Sequence, residues 1–267
     1  MLDIPNRLLY NRHMSSIRTR RKSAMILTIV NQKGGTAKST TAAALAQGAV
    51  FTGKNPLVID LDPQANCSFF LGADTSGPGS YQLLNGTATA DVIQSVQDGI
   101  SVIAASRDLA AVSSGRGSAR RLQTALEPVR TAFDLIIIDT PPTIGELQYN
   151  ALQASDGLLI PLQADIVSLH GFYQVMETVE QIKSGNPRLT VCGIILTRHN
   201  GRTVIARQMA QSIMDRAAEM QVPFLGVVRE SVTVREAQTL QRSLYEYAPR
   251  SAPARDYVYI LKKIMEG

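Results

Sequence analysis

Seven short apolar runs punctuate the chain: Ile26–Val30, Pro56–Ile59, Ile100–Ala104, Leu135–Ile138, Gly157–Pro161, Val191–Thr197 and Phe224–Val228. Most are β-branched and uninterrupted by charge, as expected for strands covered on both faces. Between them lie stretches of helical period: Lys38–Thr52, Arg120–Thr131, Gly145–Ala154, Leu169–Lys183, Thr203–Met220, Val234–Ser243 and Arg255–Met265. Strands alternating with helices predict an α/β fold, a doubly wound and mostly parallel sheet with helices on both faces. No internal repeat or linker divides residues 25–267, so they are expected to form a single domain. The Ser/Gly cluster within Val112–Ser118 predicts a mobile surface loop.

Residues 1–24 have no clean period. They carry Arg7, Arg12, Arg18, Arg20, Arg21 and Lys22 against Asp3. They read as a flexible basic arm or a start-site artefact, with Met14 and Met25 as alternative starts, or else as a folded extension. With the arm set aside, the formal charge of +5 is balanced over the rest of the chain. The balance is uneven along it. Residues 139–182 contain no Lys or Arg, whereas residues 183–267 carry an excess of arginines. Such polarity suits an anionic partner such as nucleic acid, or simply a solvated surface. No apolar run approaches the roughly 18 residues of a membrane span, and no apolar core follows the basic N-terminus as in a secretory signal. Cys67 and Cys192 lie far apart, without CxxC spacing, which argues against a disulfide framework or zinc site and for a reducing cytoplasm.

The chemistry concentrates at strand ends. After the first run comes Asn31-Gln-Lys33-Gly-Gly-Thr-Ala-Lys38-Ser39-Thr40. A strand must stop, the backbone must turn, and a helix must start with its free N–H groups aimed at one point. Gly34 and Gly35 permit the turn, and the helix N-terminus attracts an anion. Lys38 is placed to reach the β- and γ-phosphates of ATP, and the Ser39 hydroxyl to ligate Mg²⁺. The loop Lys33–Thr40, comprising Lys33, Gly34, Gly35, Thr36, Ala37, Lys38, Ser39 and Thr40, is therefore the predicted ATP site. The common pattern G-x-x-x-x-G-K-[ST] is incomplete, because Gln32 and Ala37 take its glycine positions. If Ala37 needs a positive φ, its β-carbon costs about 1–2 kcal/mol; in a helical conformation it costs little. Two further strands carry carboxylates to the edge where ligands of open α/β sheets sit: Asp60-Leu-Asp62-Pro-Gln-Ala-Asn66, and Leu135–Ile138 ending in Asp139-Thr-Pro-Pro142. A carboxylate in the position of Asp139 typically holds Mg²⁺.

Together these motifs resemble the ParA/MinD ATPases, P-loop NTPases with the deviant loop K-G-G-x-G-K-[ST]; Ala37 departs from that pattern. The resemblance covers about residues 26–265. It implies that Lys33 reaches across a homodimer to the partner's ATP while Lys38 serves its own. It further implies that Asp62 orients the attacking water, making Lys33, Lys38 and Asp62 the catalytic set. Asp60 then supports the Mg²⁺ shell with Ser39 and Asp139, and Thr197, Asn200 and Arg229 frame the adenine. Many relatives have proline where Val228 stands. The function implied is ATP-dependent partition or positioning of DNA: an ATP-bound sandwich dimer holds double-stranded DNA non-specifically, and a ParB-like adaptor stimulates its slow hydrolysis. Such a protein is cytoplasmic and nucleoid-associated. Arg198, Arg202, Arg207, Arg216, Arg235, Arg242 and Arg250 are candidate DNA-phosphate contacts. The alternatives are a MinD-like membrane switch and a metabolic ATPase of the same superfamily. No membrane partner is expected, because Tyr257, Ile260, Leu261 and Ile264 form the stripe needed to dock the last helix on the domain.

Overall fold

The computed structural model describes residues 23–96, 99–112 and 118–266. The predicted basic arm, up to residue 22, and most of the predicted Ser/Gly loop lie outside the described residues.

Eight strands form one sheet. They are β1 (Met25–Ile29), β2 (Pro56–Asp60), β3 (Gln94–Ser95), β4 (Ser101–Ile103), β5 (Leu135–Asp139), β6 (Gly157–Leu162), β7 (Thr190–His199) and β8 (Phe224–Arg229), in the order β3-β4-β2-β5-β1-β6-β7-β8. Every pairing is parallel except β3 with β4. Strand β1 lies between β5 and β6. The chain leaves it toward β2 on one side and later builds β6 to β8 on the other. Its carboxyl end is thus the switch point at which such sheets bind ligands.

The helices are α1 (Lys38–Phe51), α2 (Asn66–Phe70), α3 (Ser80–Leu84), α4 (Thr89–Val92), α5 (Arg121–Leu126), α6 (Glu146–Ala154), α7 (Ile166–Lys183), α8 (Val204–Glu219), α9 (Val232–Thr239), α10 (Leu244–Tyr247) and α11 (Ala252–Glu266). Alternation along the central strands feeds two layers. Leu27, Ile29, Val58 and Ile137 pack with Ala-rich α1 and with Tyr257, Ile260 and Leu261 of α11. Ile26, Ile59, Ile136 and Ile138 pack the other way, with Leu83, Leu122 and Ala151. A third cluster joins β6 and β7 to α7 and α8 through Leu158, Ile194, Phe172 and Ile213. Helix α1 is covered throughout its middle: Ala42, Leu45, Ala46 and Ala49 have no exposure, and a β-carbon on Gly48 would lie 2.7 Å from the Tyr245 Oη.

Candidate functional site

Strand β1 ends at Ile29, and Asn31 then takes over the turn. Its Oδ1 accepts the Lys33 N–H at 2.9 Å, and its Nδ2 donates to the Pro161 carbonyl at 2.7 Å, tying the loop to β6. Gly35 has φ +80° and open space where a β-carbon would stand. Ala37 also lies in the left-handed region, at φ 65° and ψ 34°. The conditional expectation for Ala37 resolves on the costly side, about 1–2 kcal/mol. In return the first turn of α1 carries neither a side-chain cap nor an acidic residue. Its N–H groups are left to an anion.

A cleft of about 650 Å³ opens at this point, walled by Gly34, Gly35, Ala37, Lys38, Ser39 and Thr40 on one side. Asp62, Gln64 and Asn66 form a second wall, and Thr197, Arg198 and residues Val228–Ser231 a third. Lys38 is buried, with its Nζ donating to the Lys33 carbonyl at 3.4 Å. Burial lowers its pKa, against the opposing pull of Asp139 and Asp62.

Three aspartates gather at the ends of β2 and β5. Asp139 has no exposure, and neither carboxylate oxygen has a hydrogen-bond partner. Burial pushes its pKa well up and the charge of Asp60 adds to this; the nearby Ser39 hydroxyl and Lys38 ammonium only partly compensate. A buried carboxylate with both oxygens orphaned, beside a hydroxyl at the mouth of an anion site, fits a hard divalent cation. Among the described residues no three His, Cys, Asp or Glu groups form a metal cage.

Asp60 is placed differently from a direct ligand. Its Oδ2 accepts the Ser68 N–H and the Ser68 hydroxyl, both at 2.8 Å, and its Oδ1 accepts the Asp62 N–H at 3.0 Å. Burial nevertheless pushes it up to about 6, against those bonds. It braces the loop that carries Asp62. Asp62 itself accepts the Gln64 N–H on Oδ1 at 3.0 Å and faces the cleft.

The remaining predicted residues divide. Thr197 lines the cleft, but its hydroxyl is engaged with the Thr36 carbonyl at 3.0 Å and the Leu162 carbonyl at 3.1 Å. Thr36 is itself fully buried and supports the loop from behind. Arg229 borders the cleft with its guanidinium held by Asp256, Nε to Oδ2 at 2.9 Å and Nη2 to Oδ1 at 2.6 Å. Asn200 does not reach the cleft; it lies in neighbouring hollows with His199, beyond an irregularity in β7. Lys33 is likewise outside the cleft. Its Nζ pairs with Asp165 of the same chain at 2.6 Å. Burial raises the Asp165 pKa, but the bonds from Lys33 and Ser168 outweigh it and hold the carboxyl below its usual value.

Sequence reading missed Gln238, whose Nε2 donates to the Thr40 hydroxyl at 3.0 Å, and gave Tyr257 only a docking role, whereas its hydroxyl lies 3.3 Å from that of Thr41 beside the cleft. Both line the cleft. Nothing local marks them, because each is brought in by tertiary packing. The seven arginines proposed for DNA do not share one surface state. Arg216 pairs with Glu219, Arg207 donates to the Gly201 carbonyl, and Arg198 and Arg235 face the cleft.

A family model described as an AAA domain matches residues 24–191. The chromosome-partitioning ATPase Soj of Thermus thermophilus is 34% identical over 241 residues, covering 90% of this chain and 94% of Soj. This chain belongs to the ParA/Soj family of partitioning ATPases. The chromosome partitioning protein ParA of Caulobacter vibrioides is 33% identical over 251 residues, covering 90% of this chain and 93% of that ParA. Among solved structures, cobyrinic acid a,c-diamide synthase from Mycobacterium smegmatis with bound ATP analogue and magnesium superposes with TM-score 0.76 at 27% identity, over 88% of this chain and 91% of the synthase. The expected pairing of ATP with Mg²⁺ agrees with the ligands of that neighbour. No helix among the described residues is long and apolar enough to cross a membrane.

Proposed function

We propose that this ParA/Soj-family chain is an ATP-driven positioning ATPase for DNA, working as a nucleotide-dependent homodimer with a ParB-like adaptor. The observation that carries the chemistry is the buried, unpartnered Asp139 carboxylate close to Lys38 and Ser39 at the uncapped start of α1. ATP would lay its phosphates along the N–H groups of Gly34–Thr40, with Lys38 against the terminal oxygens. Ser39 and Asp139 would hold Mg²⁺, which neutralises charge developing on the transferred phosphoryl. Asp62 would position water for in-line attack, and Asp60, through its bond to the Asp62 N–H, would fix that carboxylate's place.

The dimer reading draws on Lys33, which lies outside its own cleft in an ion pair with Asp165 and would leave that pair to reach a second subunit's nucleotide. The same carboxyl edge exposes Ile144, Ile166, Val167, Val204 and Ile205, aliphatic side chains that a facing subunit would cover. Dimerisation would bring two copies of the rim arginines together, a fitting surface for duplex phosphates. The membrane alternative is less well supported, since the apolar stripe of α11 is buried in the domain through Tyr257, Ile260, Leu261 and Ile264. The metabolic alternative finds support in the synthase fold, but the partition proteins are the more similar in sequence.

The decisive experiment measures ATP turnover alone, with random duplex, with the product of the adjacent gene, and with both. Stimulation greatest with both supports partition. Turnover indifferent to DNA, together with equal DNA retention in ADP and ATP, would overturn it.

A further inference from the structure

Strands β7 and β8 slip register twice: β8 carries an extra residue between Phe224 and Gly226, and β7 carries one between Leu196 and His199. Leu196 pairs with Val227 and His199 with Arg229, so Thr197 and Arg198 together face Val228 alone. Arg198 absorbs the extra length at φ 50°, a left-handed conformation that a β-carbon disfavours. Bulges of this kind re-aim side chains, and strain that the surrounding fold enforces marks a position kept for use. The fold does enforce it, because Thr197 is anchored on the phosphate loop through the Thr36 carbonyl at 3.0 Å.

Arg198 stands on the ridge between the cleft that holds Lys38 and Asp62 and the neighbouring hollow of His199 and Asn200, lining both. Its ion-pair partner there is Glu230, at 3.7 Å, with both side chains about half exposed. That separation is too long for a charge-assisted hydrogen bond, and an exposed pair of this kind contributes little. A planar guanidinium held this loosely is matched in geometry and charge to phosphoryl oxygens.

We propose that Arg198 is a phosphate-binding residue of the nucleotide site, leaving Glu230 when nucleotide enters and donating to the phosphate tail from the β7 wall. The proposal rests on the ATP reading above and deepens it.

The test compares wild type with Arg198→Gly, Arg198→Lys and Lys38→Ala, measuring affinity for ATP and for adenosine by competition, alongside thermal unfolding of the empty protein. Glycine adopts φ 50° freely, so Arg198→Gly should raise the unfolding midpoint by roughly 2–4 °C. The same variant should bind ATP at least about tenfold more weakly and adenosine unchanged. Arg198→Lys should recover part of the affinity and none of the gain in midpoint. The proposal is overturned if Arg198→Gly keeps wild-type ATP affinity while Lys38→Ala loses it, a result that leaves the nucleotide site standing. Equal weakening of ATP and adenosine overturns it too. So does loss of DNA retention with ATP affinity intact. Absence of ATP binding in the wild type removes both this proposal and the site it extends.

Discussion

The two halves of the sheet's carboxyl edge are built on opposite principles. On the β2–β5 side, Asp60, Asp62 and Asp139 are buried, close together and fixed by short loops. On the β7–β8 side, Arg198, Arg229 and Arg235 line the same cleft from more exposed positions and a strained bulge. The acidic half stores unfavourable electrostatics that a cation relieves, so its geometry is set before ligand arrives. The basic half is mixed: Arg229 is clamped by Asp256, whereas Arg198 is held only through its long contact with Glu230 and can rearrange around what binds. Fixed chemistry on one side and adaptable recognition on the other is a division suited to a switch.

The largest expected effect attacks the acidic half. Asp139→Asn should slow hydrolysis on the order of a hundredfold or more. In urea titrations it should also stabilise the empty protein, by removing a carboxyl whose ionisation burial and Asp60 oppose and Lys38 and Ser39 only partly favour. An empty-state stability that falls instead would mean that Asp139 is not strained. Next, Asp165→Asn frees Lys33 and should strengthen ATP-dependent self-association, up to about fivefold for an ion pair this exposed. Light scattering with ATP reads this, and weaker association would show that Asp165 serves the interface rather than restraining it. Ala37→Gly should add about 1 kcal/mol, or roughly 2–4 °C in Tm, by relaxing φ 65°. No gain would place the strain elsewhere in the loop.

The smallest effect concerns pH. Asp60 is raised in the fold to about 6, above its ordinary value of 3.8, so the folded state holds its proton longer. Stability of the empty protein should therefore fall as pH rises from about 4 to about 6, and Asp60→Asn should flatten that slope. A slope unchanged in the variant would assign it to Asp139 alone.

All seven long strands were legible to within a residue or two, because parallel strands buried on both faces write continuous apolar runs. Strand β3 was not, since Gln94 and Ser95 form two residues of antiparallel edge with no period to read. Helix α7 begins at Ile166 rather than Leu169 because Asp165 caps it, accepting the Ser168 N–H at 2.8 Å. The apolar stripe misplaces the start because Ile166 and Val167, though aliphatic, are exposed. Arg120–Thr131, expected as one helix, is broken into 3₁₀ turns around α5, with Pro128 in the second of them. At the site, the loop and the three aspartates were legible because each sits at a strand end in a short motif. The pairings Lys33–Asp165 and Arg229–Asp256 were not, for they join residues far apart in the chain and depend on where the helices pack.

Helix α1 has a consequence for how this protein can change. From Ala42 to Ala49 its side chains are covered and, Leu45 and Gln47 apart, small, and Gly48 is closed off by Tyr245. Any added methylene there must displace a neighbouring layer, at about 1–3 kcal/mol each. In a saturation library selected for function, that stretch should therefore tolerate almost no enlargement. Innovation in this chain is steered to its periphery, and the spine behind the phosphate loop stays narrow.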